Sequence, residues 1–559
     1  MWRASSSGAG VGYWNRRVRN KCRIIAVGAA LAAALAGTSM AGVPAASASA
    51  TETVIVTSTG LLGAAGAVLG VNGTILTEYH LINAVDATIL TVAEPLLAAL
   101  PGITVTPDAL VSVQSTTEST GPHTPSDAFL QETGATRLAS AGDTGQGVTV
   151  AVMDTGIDNL PDFSGRLIGG VDLTNGGDPY QDSYGHGTFV AGLIAGDGAS
   201  SAGQYSGEAP GAKLVSIKVA GADGITHLGT LISGLQWAVD HQSRYGIKLL
   251  NLSLGFKSDQ STVINPLDQA VEAVWNAGIA VVVSAGNTGP FNGSILSPGD
   301  DPLVITVGAL DDMATASITD DEMNDFSAVG PTSPDGWVKP DLVTSGRSVV
   351  SLAAPGSTIY TDYPSARIGS ANFVGSGTSF SAAITSGAAA LVLADSPGLT
   401  PNQLKARLLG TTSLGPVGNP FVDGHGALNA YAAAISGPMN LNQSAVGLIP
   451  TLAGIAVSLA PAGPADTWNV HLWSGVSWNQ PPSGGQARNG WAWNGGDWNG
   501  WVWTGRAWNN GGWAGAEWNG GAWTGRAWNG GAWTGSAWAG AAWAGAAWAG
   551  AAWSSSAWN

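Results

Sequence analysis

The chain has 559 residues, too many for a single compact core, and this length predicts two to four domains. It carries 21 Lys and Arg against 38 Asp and Glu, a formal charge of −17. A surface this acidic repels nucleic acid and anionic membranes, so neither is expected as a partner. The one cysteine, Cys22, lies near the N-terminus, which excludes disulfides, zinc-thiolate sites and cysteine nucleophiles from the rest of the chain.

The first 50 residues have the pattern of a cleavable export signal. Basic residues up to Arg23 are followed by an apolar, Ala-rich stretch at 24–41, and Ala48-Ser49-Ala50 fits a signal peptidase site. A membrane anchor is the alternative, but glycines interrupt the apolar run and its length is marginal for a span. We therefore predict a signal peptide at 1–50 and a secreted protein.

Residues 51–120 predict a small α+β unit. Residues 53–57 alternate like a strand, 76–97 mix helical and extended patterns, and 103–105 and 111–113 are extended. About 60 residues is small for an independent core, so a partner surface is expected. The polar segment at 115–126 is typical of a cleavable connector.

Residues 121–436 alternate between apolar strands and helical segments. The predicted strands are 147–152, 213–219, 247–254, 279–283 and 303–307, and the predicted helices include 228–245 and 267–277. This order predicts an α/β fold with a mostly parallel sheet covered by helices on both faces. In such sheets the loops at the carboxyl ends of the strands hold the functional site.

Three motifs occur at predicted strand ends or helix starts. Asp154 lies in Val-Met-Asp-Thr-Gly-Ile-Asp, His186 in Gly-His-Gly-Thr-Phe-Val-Ala-Gly, and Ser379 in Gly-Thr-Ser-Phe-Ser-Ala. Alone, each residue has an ordinary structural explanation as a turn or cap residue. Together, in the order Asp, His, Ser, they match a recurring catalytic triad.

The chemistry of a triad needs these three residue types. A serine hydroxyl is a poor nucleophile until a histidine accepts its proton, and the histidine needs a carboxylate that holds its tautomer. A helix that begins at Ser379 adds backbone N–H donors and a positive dipole end for an oxyanion.

These motifs resemble those of the subtilisin-like serine proteases, or subtilases, over about 127–434. The resemblance implies the family's α/β fold and a secreted serine endopeptidase that cleaves polypeptides. It makes Asn287, in Ser284-Ala285-Gly286-Asn287, the side-chain oxyanion donor. It places Ser253, Leu254 and Gly255 on one wall of the S1 pocket and Ser284, Ala285 and Gly286 on the other. It also implies that 219–224 is an edge strand that pairs with substrate.

The small residues on these walls suggest a roomy, apolar S1 pocket that accepts large uncharged side chains.

The resemblance further implies that the unit at 51–120 is an inhibitory propeptide, whereas an ordinary accessory domain is the alternative. No cofactor is required and no metal ligand is assigned. A structural calcium ion could bind the carboxylates of Asp311, Asp312, Asp320, Asp321, Glu322 and Asp325, but a solvated acidic loop is favoured.

After a linker at 437–467, residues 468–559 are repetitive and hold 19 of the 24 tryptophans. From Trp493 to Trp558 a tryptophan recurs at every fifth residue. Such a period fits either a β-solenoid of short strands or a low-complexity chain. The rings suit stacking on cell-envelope glycans, and a spacer is the equal alternative. Subtilases of actinobacteria with Trp-rich tails are similar.

Two rival functions follow. A catalytically inactive protein could bind the envelope through its Trp-rich repeats, although the complete set of Asp154, His186, Ser379 and Asn287 argues against decay. An esterase is a minor alternative, because no Gly-x-Ser-x-Gly elbow surrounds Ser379.

Overall fold

The computed structural model describes residues 50–113, 124–174 and 176–437, together with the backbone of short strands between 472 and 555. The predicted signal peptide and linker therefore lie almost wholly outside the described residues. The described chain divides into two compact units. The first holds the chain up to Ala109 and His227–Ile232, and the second holds the remainder.

The first unit is a four-stranded antiparallel sheet with two short helices. Its elements are β1 Thr51–Ser58, α1 Ala64–Gly70, β2 Thr74–Tyr79, β3 Ala84–Leu90, α2 Glu94–Ala98 and β4 Ile103–Pro107, with strand order β2-β3-β1-β4. Val54 and Val56 of β1 and Val68 of α1 are buried in one apolar core. This is the α+β character that the alternation at 53–57 predicts.

The second unit contains an eight-stranded sheet and most of the helices. In chain order its elements are β5 Leu110–Val113, α3 Phe129–Glu132, α4 Ala135–Ser140, β6 Thr149–Asp154, β7 Leu167–Asp172, α5 His186–Ala195, β8 Lys213–Lys218, β9 Ile225–His227, α6 Leu228–Asp240, α7 Gln242–Tyr245, β10 Ile247–Leu252, β11 Leu254–Gly255, α8 Pro266–Asn276, β12 Ala280–Ser284, β13 Ile305–Asp311, β14 Glu322–Met323, β15 Leu342–Ser345, β16 Val349–Leu352, α9 Thr358–Asp362, β17 Arg367–Ile368, β18 Asn372–Gly375, α10 Thr378–Asp395, α11 Pro401–Gly410 and α12 Ala430–Ile435. The first turn of α6 and the end of β9 are counted with the first unit.

The large sheet is parallel except at one edge. Its order is β14-β13-β12-β10-β6-β8-β7, with β15 also paired to β13, and only the β13–β14 pair is antiparallel. All six residues of β6 are buried, as expected of a central parallel strand. The chain runs from β6 toward β7 and β8 on one side and toward β10, β12 and β13 on the other. A strand at such a switch point presents its carboxyl end to a functional site.

A small antiparallel sheet contains β5 at its centre, in the order β11-β5-β9. Val113 lies opposite Leu254 and Ser112 lies opposite Gly255. The sequence predicts this edge strand at 219–224, but the strand forms at Ile225–His227, so the predicted position is wrong. Residues 221–224 instead make a turn in which the N–H of Gly224 donates to the carbonyl of Gly221, and the Asp223 carboxylate accepts from the N–H of Ile225.

Helix α10 forms the buried centre of the second unit, where it packs against α5, β10, β12 and β13. Its 18 residues include three Ser or Thr side chains besides Thr378 and Ser379, and residues from Thr378 to Leu393 are buried. Among the described residues it is the one helix long and apolar enough to cross a membrane, and 89% of that stretch is buried inside the protein.

The backbone strands of the tail are short and pair in parallel. Trp473 lies opposite Trp493 and Trp523 lies opposite Trp543. Each separation is 20 residues, or four five-residue units. One longer pair, Ala487–Trp493 with Val502–Trp508, is offset by 15 residues. Parallel pairing at multiples of five residues is the arrangement of the β-solenoid alternative.

Candidate active site

Asp154 and His186 form a buried pair at the carboxyl end of the central strand. Asp154 is the last residue of β6 and His186 is the first residue of α5. His186 Nδ1 lies 2.8 Å from Asp154 Oδ1, and both side chains are 1% exposed. The Thr155 N–H also donates to Asp154 Oδ1 at 2.8 Å. The carboxylate is therefore oriented by its own loop as well as by the imidazole.

A second aspartate, Asp182, ties the loop after β6 to the start of α5. Its carboxylate accepts from Thr155 Oγ1 at 2.7 Å and from the N–H groups of Gly185 at 2.7 Å and Thr188 at 2.8 Å. Burial raises the pKa of Asp182, and these hydrogen bonds oppose that shift. An anionic side chain at a helix N-terminus is stabilised by the orphan N–H groups of the first turn.

Ser379 is the second residue of α10 and is fully buried. Its Oγ donates to the carbonyl oxygen of Ser253 at 3.3 Å, and Ser253 Oγ donates to the Ser379 carbonyl at 3.1 Å. His186 Nε2 is buried, and no hydrogen-bond partner for it exists among the described residues. The Phe380 ring lies 5.6 Å from the His186 ring, which places the histidine beside the residue that follows Ser379.

Asn287 follows β12 and contacts the start of α10. Its Oδ1 accepts from the Thr378 N–H at 2.9 Å and from Thr378 Oγ1 at 2.8 Å. Thr378 Oγ1 in turn accepts from the Gly286 N–H at 3.1 Å. These two hydrogen bonds hold the Asn287 amide against the residue that precedes Ser379.

The two predicted pocket walls lie next to these residues. Ser253, Leu254 and Gly255 run along the edge paired with β5, and Ser284, Ala285 and Gly286 continue β12. Val113 is held on its other side, where its N–H donates to the Gly224 carbonyl at 3.1 Å. An extended segment of this chain therefore lies between two backbone edges, in the manner of strand addition.

Two of the six carboxylates considered for calcium have partners within the protein. Asp311 lies 3.4 Å from Arg347, and Asp312 accepts from Ser126 Oγ at 2.9 Å. Within the described ranges, no group of three or more His, Cys, Asp or Glu side chains is arranged to hold a metal ion.

Sequence reasoning missed Asp182 and Thr378. A signal existed for each, because Asp182 stands four residues before His186 and Thr378 directly precedes Ser379. Each also has a partner in another segment of the chain, and only the fold brings Thr155 to Asp182 and Asn287 to Thr378.

A mostly parallel sheet with an Asp–His pair at its switch point, and a serine at the start of the central helix, is the arrangement of a serine hydrolase. A family model described as the subtilase family, peptidase S8, matches residues 145–442, more than half of the chain. The chain belongs to the subtilase family of serine proteases.

Individual relatives agree with this assignment. Serine protease AprX of Bacillus subtilis (strain 168) is 44% identical over 296 residues, which cover 51% of this chain and 66% of AprX. Subtilisin Savinase of Lederbergia lenta is 36% identical over 292 residues, or 52% of this chain and 92% of Savinase. The crystal structure of fervidolysin from Fervidobacterium pennivorans, a keratinolytic enzyme related to subtilisin, matches with a TM-score of 0.54 and 24% identity. That match covers 69% of this chain and 61% of fervidolysin and concerns the fold alone.

Proposed function

We propose that residues 121–436 form a secreted serine endopeptidase that hydrolyses peptide bonds through an acyl-enzyme. Ser379 is the nucleophile, His186 the general base and then acid, and Asp154 the orienting carboxylate. The observation that carries this proposal is the 2.8 Å contact between Asp154 and His186, buried beside the helix that has Ser379 in its first turn.

The protonation pattern follows from that contact. With Nδ1–H donated to Asp154, the lone pair of His186 lies on Nε2, which is buried and without a partner among the described residues. The Ser379 hydroxyl leaves the Ser253 carbonyl and gives its proton to Nε2 as Oγ attacks the substrate carbonyl. The imidazolium then protonates the leaving amine, and water repeats the sequence to release the acyl group.

Two donors suit the oxyanion that forms during attack. The Asn287 amide is held at Thr378 through its Oδ1, and the Ser379 N–H lies in the first turn of α10. Donors that are fixed before the reaction stabilise developing charge without reorganisation. We assign Asn287 and the Ser379 N–H as the oxyanion hole.

Polypeptides are the proposed substrates because the cleft accepts an extended backbone. The segment Leu110–Val113 already occupies the space between β11 and β9 with antiparallel pairing. Backbone hydrogen bonds of this kind give affinity that does not depend on side chains. Selectivity then comes from the S1 walls, Ser253 to Gly255 and Ser284 to Gly286.

We extend the proposal to the other segments of the chain. Residues 1–50 direct export, and residues 51–120 act as an intramolecular inhibitor whose last strand, β5, occupies the substrate cleft. No cofactor is needed for the chemistry. The Trp-rich repeats bind cell-envelope glycans and retain the enzyme at the envelope. The rival proposal, an inactive envelope-binding protein, is disfavoured by the intact Asp154–His186 contact.

Labelling with a fluorophosphonate tests the catalytic proposal, because this reagent reacts with a serine that a histidine activates. The processed wild type should take up one probe per molecule and hydrolyse casein. The Ser379→Ala variant should do neither, and identical behaviour of the two proteins would refute the proposal.

A further inference from the structure

We propose that Leu296 closes the S1 pocket and restricts the P1 residue, the one before the cleaved bond, to small side chains such as Ala or Ser. The inference rests on the proposed function and concerns its selectivity. It replaces the roomy pocket that the glycines on the two walls suggest when the sequence is considered alone.

The space between the walls is already occupied by this leucine. A Cβ atom added to Gly286 would meet Leu296 Cγ at 2.8 Å and Cδ1 at 3.0 Å. A Cβ atom added to Gly255, on the other wall, would meet Leu296 Cβ at 3.1 Å and Cδ1 at 3.5 Å. The side-chain directions of two glycines from different strands converge on one leucine. Leu296 therefore lies between the walls rather than behind either of them.

The backbone of this segment is attached to both walls. The Leu296 N–H donates to the Ala285 carbonyl at 3.1 Å. Ser297 exchanges two hydrogen bonds with Phe256, the residue after Gly255, at 3.0 and 3.1 Å. Leu296 is 6% exposed. The main chain that carries Leu296 is therefore fixed to both sides of the gap, and its side chain is buried within that gap.

A large P1 side chain would have to displace Leu296 or distort the walls. Overpacking a filled apolar site weakens binding of the transition state as well as of the ground state. A small P1 side chain leaves Leu296 in place and completes the packing around it. The two glycines thus leave room for the leucine, and the leucine sets the depth of the pocket.

The experiment compares kcat/KM of the processed enzyme on p-nitroanilide tetrapeptides that differ only in P1, with Ala, Leu or Phe. We expect wild type to prefer Ala over Phe by about tenfold or more, since a single methylene in a pocket is worth roughly 10–200-fold. Leu296→Gly should raise the Phe-to-Ala ratio by about 10²-fold, and Leu296→Ala by less. Leu310→Ala, which shortens a buried leucine in a separate core cluster with Val343 and Ala427, should leave the ratio unchanged.

Cleavage sites of wild type in denatured casein, mapped by mass spectrometry, test the same point without any variant. Enrichment of small residues at P1 supports the inference, and enrichment of Phe, Tyr or Leu overturns it. An enzyme that reacts with a fluorophosphonate yet prefers Phe would overturn the role of Leu296 alone. An enzyme that does not react would instead overturn the proposed function.

Discussion

Glu208 is a buried carboxyl group that the catalytic proposal does not use. It is 1% exposed, and its N–H donates to the Leu193 carbonyl of α5 at 2.8 Å. A Cβ atom on Gly387 of α10 would meet Glu208 Cβ at 2.5 Å. Burial raises the pKa of Glu208 from 4.5 to about 8, although the Thr133 hydroxyl opposes the shift. The Glu208 side chain is therefore packed between α5 and α10, and it is protonated at neutral pH.

This pKa predicts a loss of stability as the pH rises from about 4.5 to about 8. The folded state keeps the Glu208 proton up to about pH 8, whereas the unfolded chain releases it near pH 4.5. The free energy of unfolding thus falls between these values by about 1.4 kcal/mol per pH unit. In the Ser379→Ala background, Glu208→Gln should raise Tm more at pH 9 than at pH 5, by roughly 5 °C.

The melting curves need a matched control. Glu322→Gln removes an exposed carboxylate from the same unit and should shift Tm equally at both pH values. An equal shift for Glu208→Gln at pH 5 and pH 9 would contradict the raised pKa.

Individual site residues differed in how far the sequence could predict them. Asp154, His186 and Ser379 stand in motifs whose spacing and order indicate a triad. The roles of Asp182 and Thr378 could not be predicted in this way, because each acts through a partner that is distant in the chain. The same reason explains why the size of the S1 pocket could not be predicted from the sequence. The glycines are visible in the sequence, but the position of Leu296 between them depends on the packing of two strands and a loop.

At the scale of elements, strand β5 and Ser126 lie at the two ends of the predicted connector at 115–126. Val113 ends the strand paired with β11. The Ser126 N–H donates to the Ser348 carbonyl at 2.9 Å, and its own carbonyl accepts from the Val350 N–H at 3.0 Å. Ser126 therefore pairs with the peptidase sheet of β16, while the strand before the connector lies between β11 and β9.

The positions of β5 and Ser126 predict where the chain is cut during maturation. We expect the secreted wild type to begin at a residue within 114–125 and the Ser379→Ala variant to retain the preceding segment, as intact mass and N-terminal sequencing would show. A new terminus beyond Ser126, or the same terminus in both proteins, would argue against self-processing at the cleft.

Most strands and helices of the peptidase were predictable because buried parallel strands are continuous apolar runs. The predicted 267–277 forms as Pro266–Asn276, and 213–219 forms as Lys213–Lys218. The predicted helix at 228–245 is divided at His241 into α6 and α7. The edge strand was misplaced, since its pairing partner β5 comes from a segment more than 100 residues earlier.

At the scale of the whole molecule, catalysis and retention are assigned to different parts. The strands of the tail pair Trp473 with Trp493 and Trp523 with Trp543, so tryptophans recur at matching positions of neighbouring strands. Repeated aromatic residues at a fixed spacing suit a polymer of sugar rings. The periodicity was readable from the sequence, but the 20-residue register was not, because a period of five is compatible with several coil sizes.

Deleting 468–559 tests the retention proposal. The truncated enzyme should lose most of its pull-down on purified cell-wall material while its kcat/KM on a small peptide substrate stays unchanged. Retention equal to that of the full chain would remove the envelope-binding role.

The central claim is that Ser379, activated by His186, carries the reaction. Its most direct test is to label the processed wild type with a fluorophosphonate and to locate the adduct by peptide mass spectrometry. We predict a single adduct on Ser379, with peptidase activity lost in proportion to labelling, and no adduct in Ser379→Ala or His186→Ala. An adduct on another serine, or unchanged casein hydrolysis after full labelling of Ser379, would contradict the account.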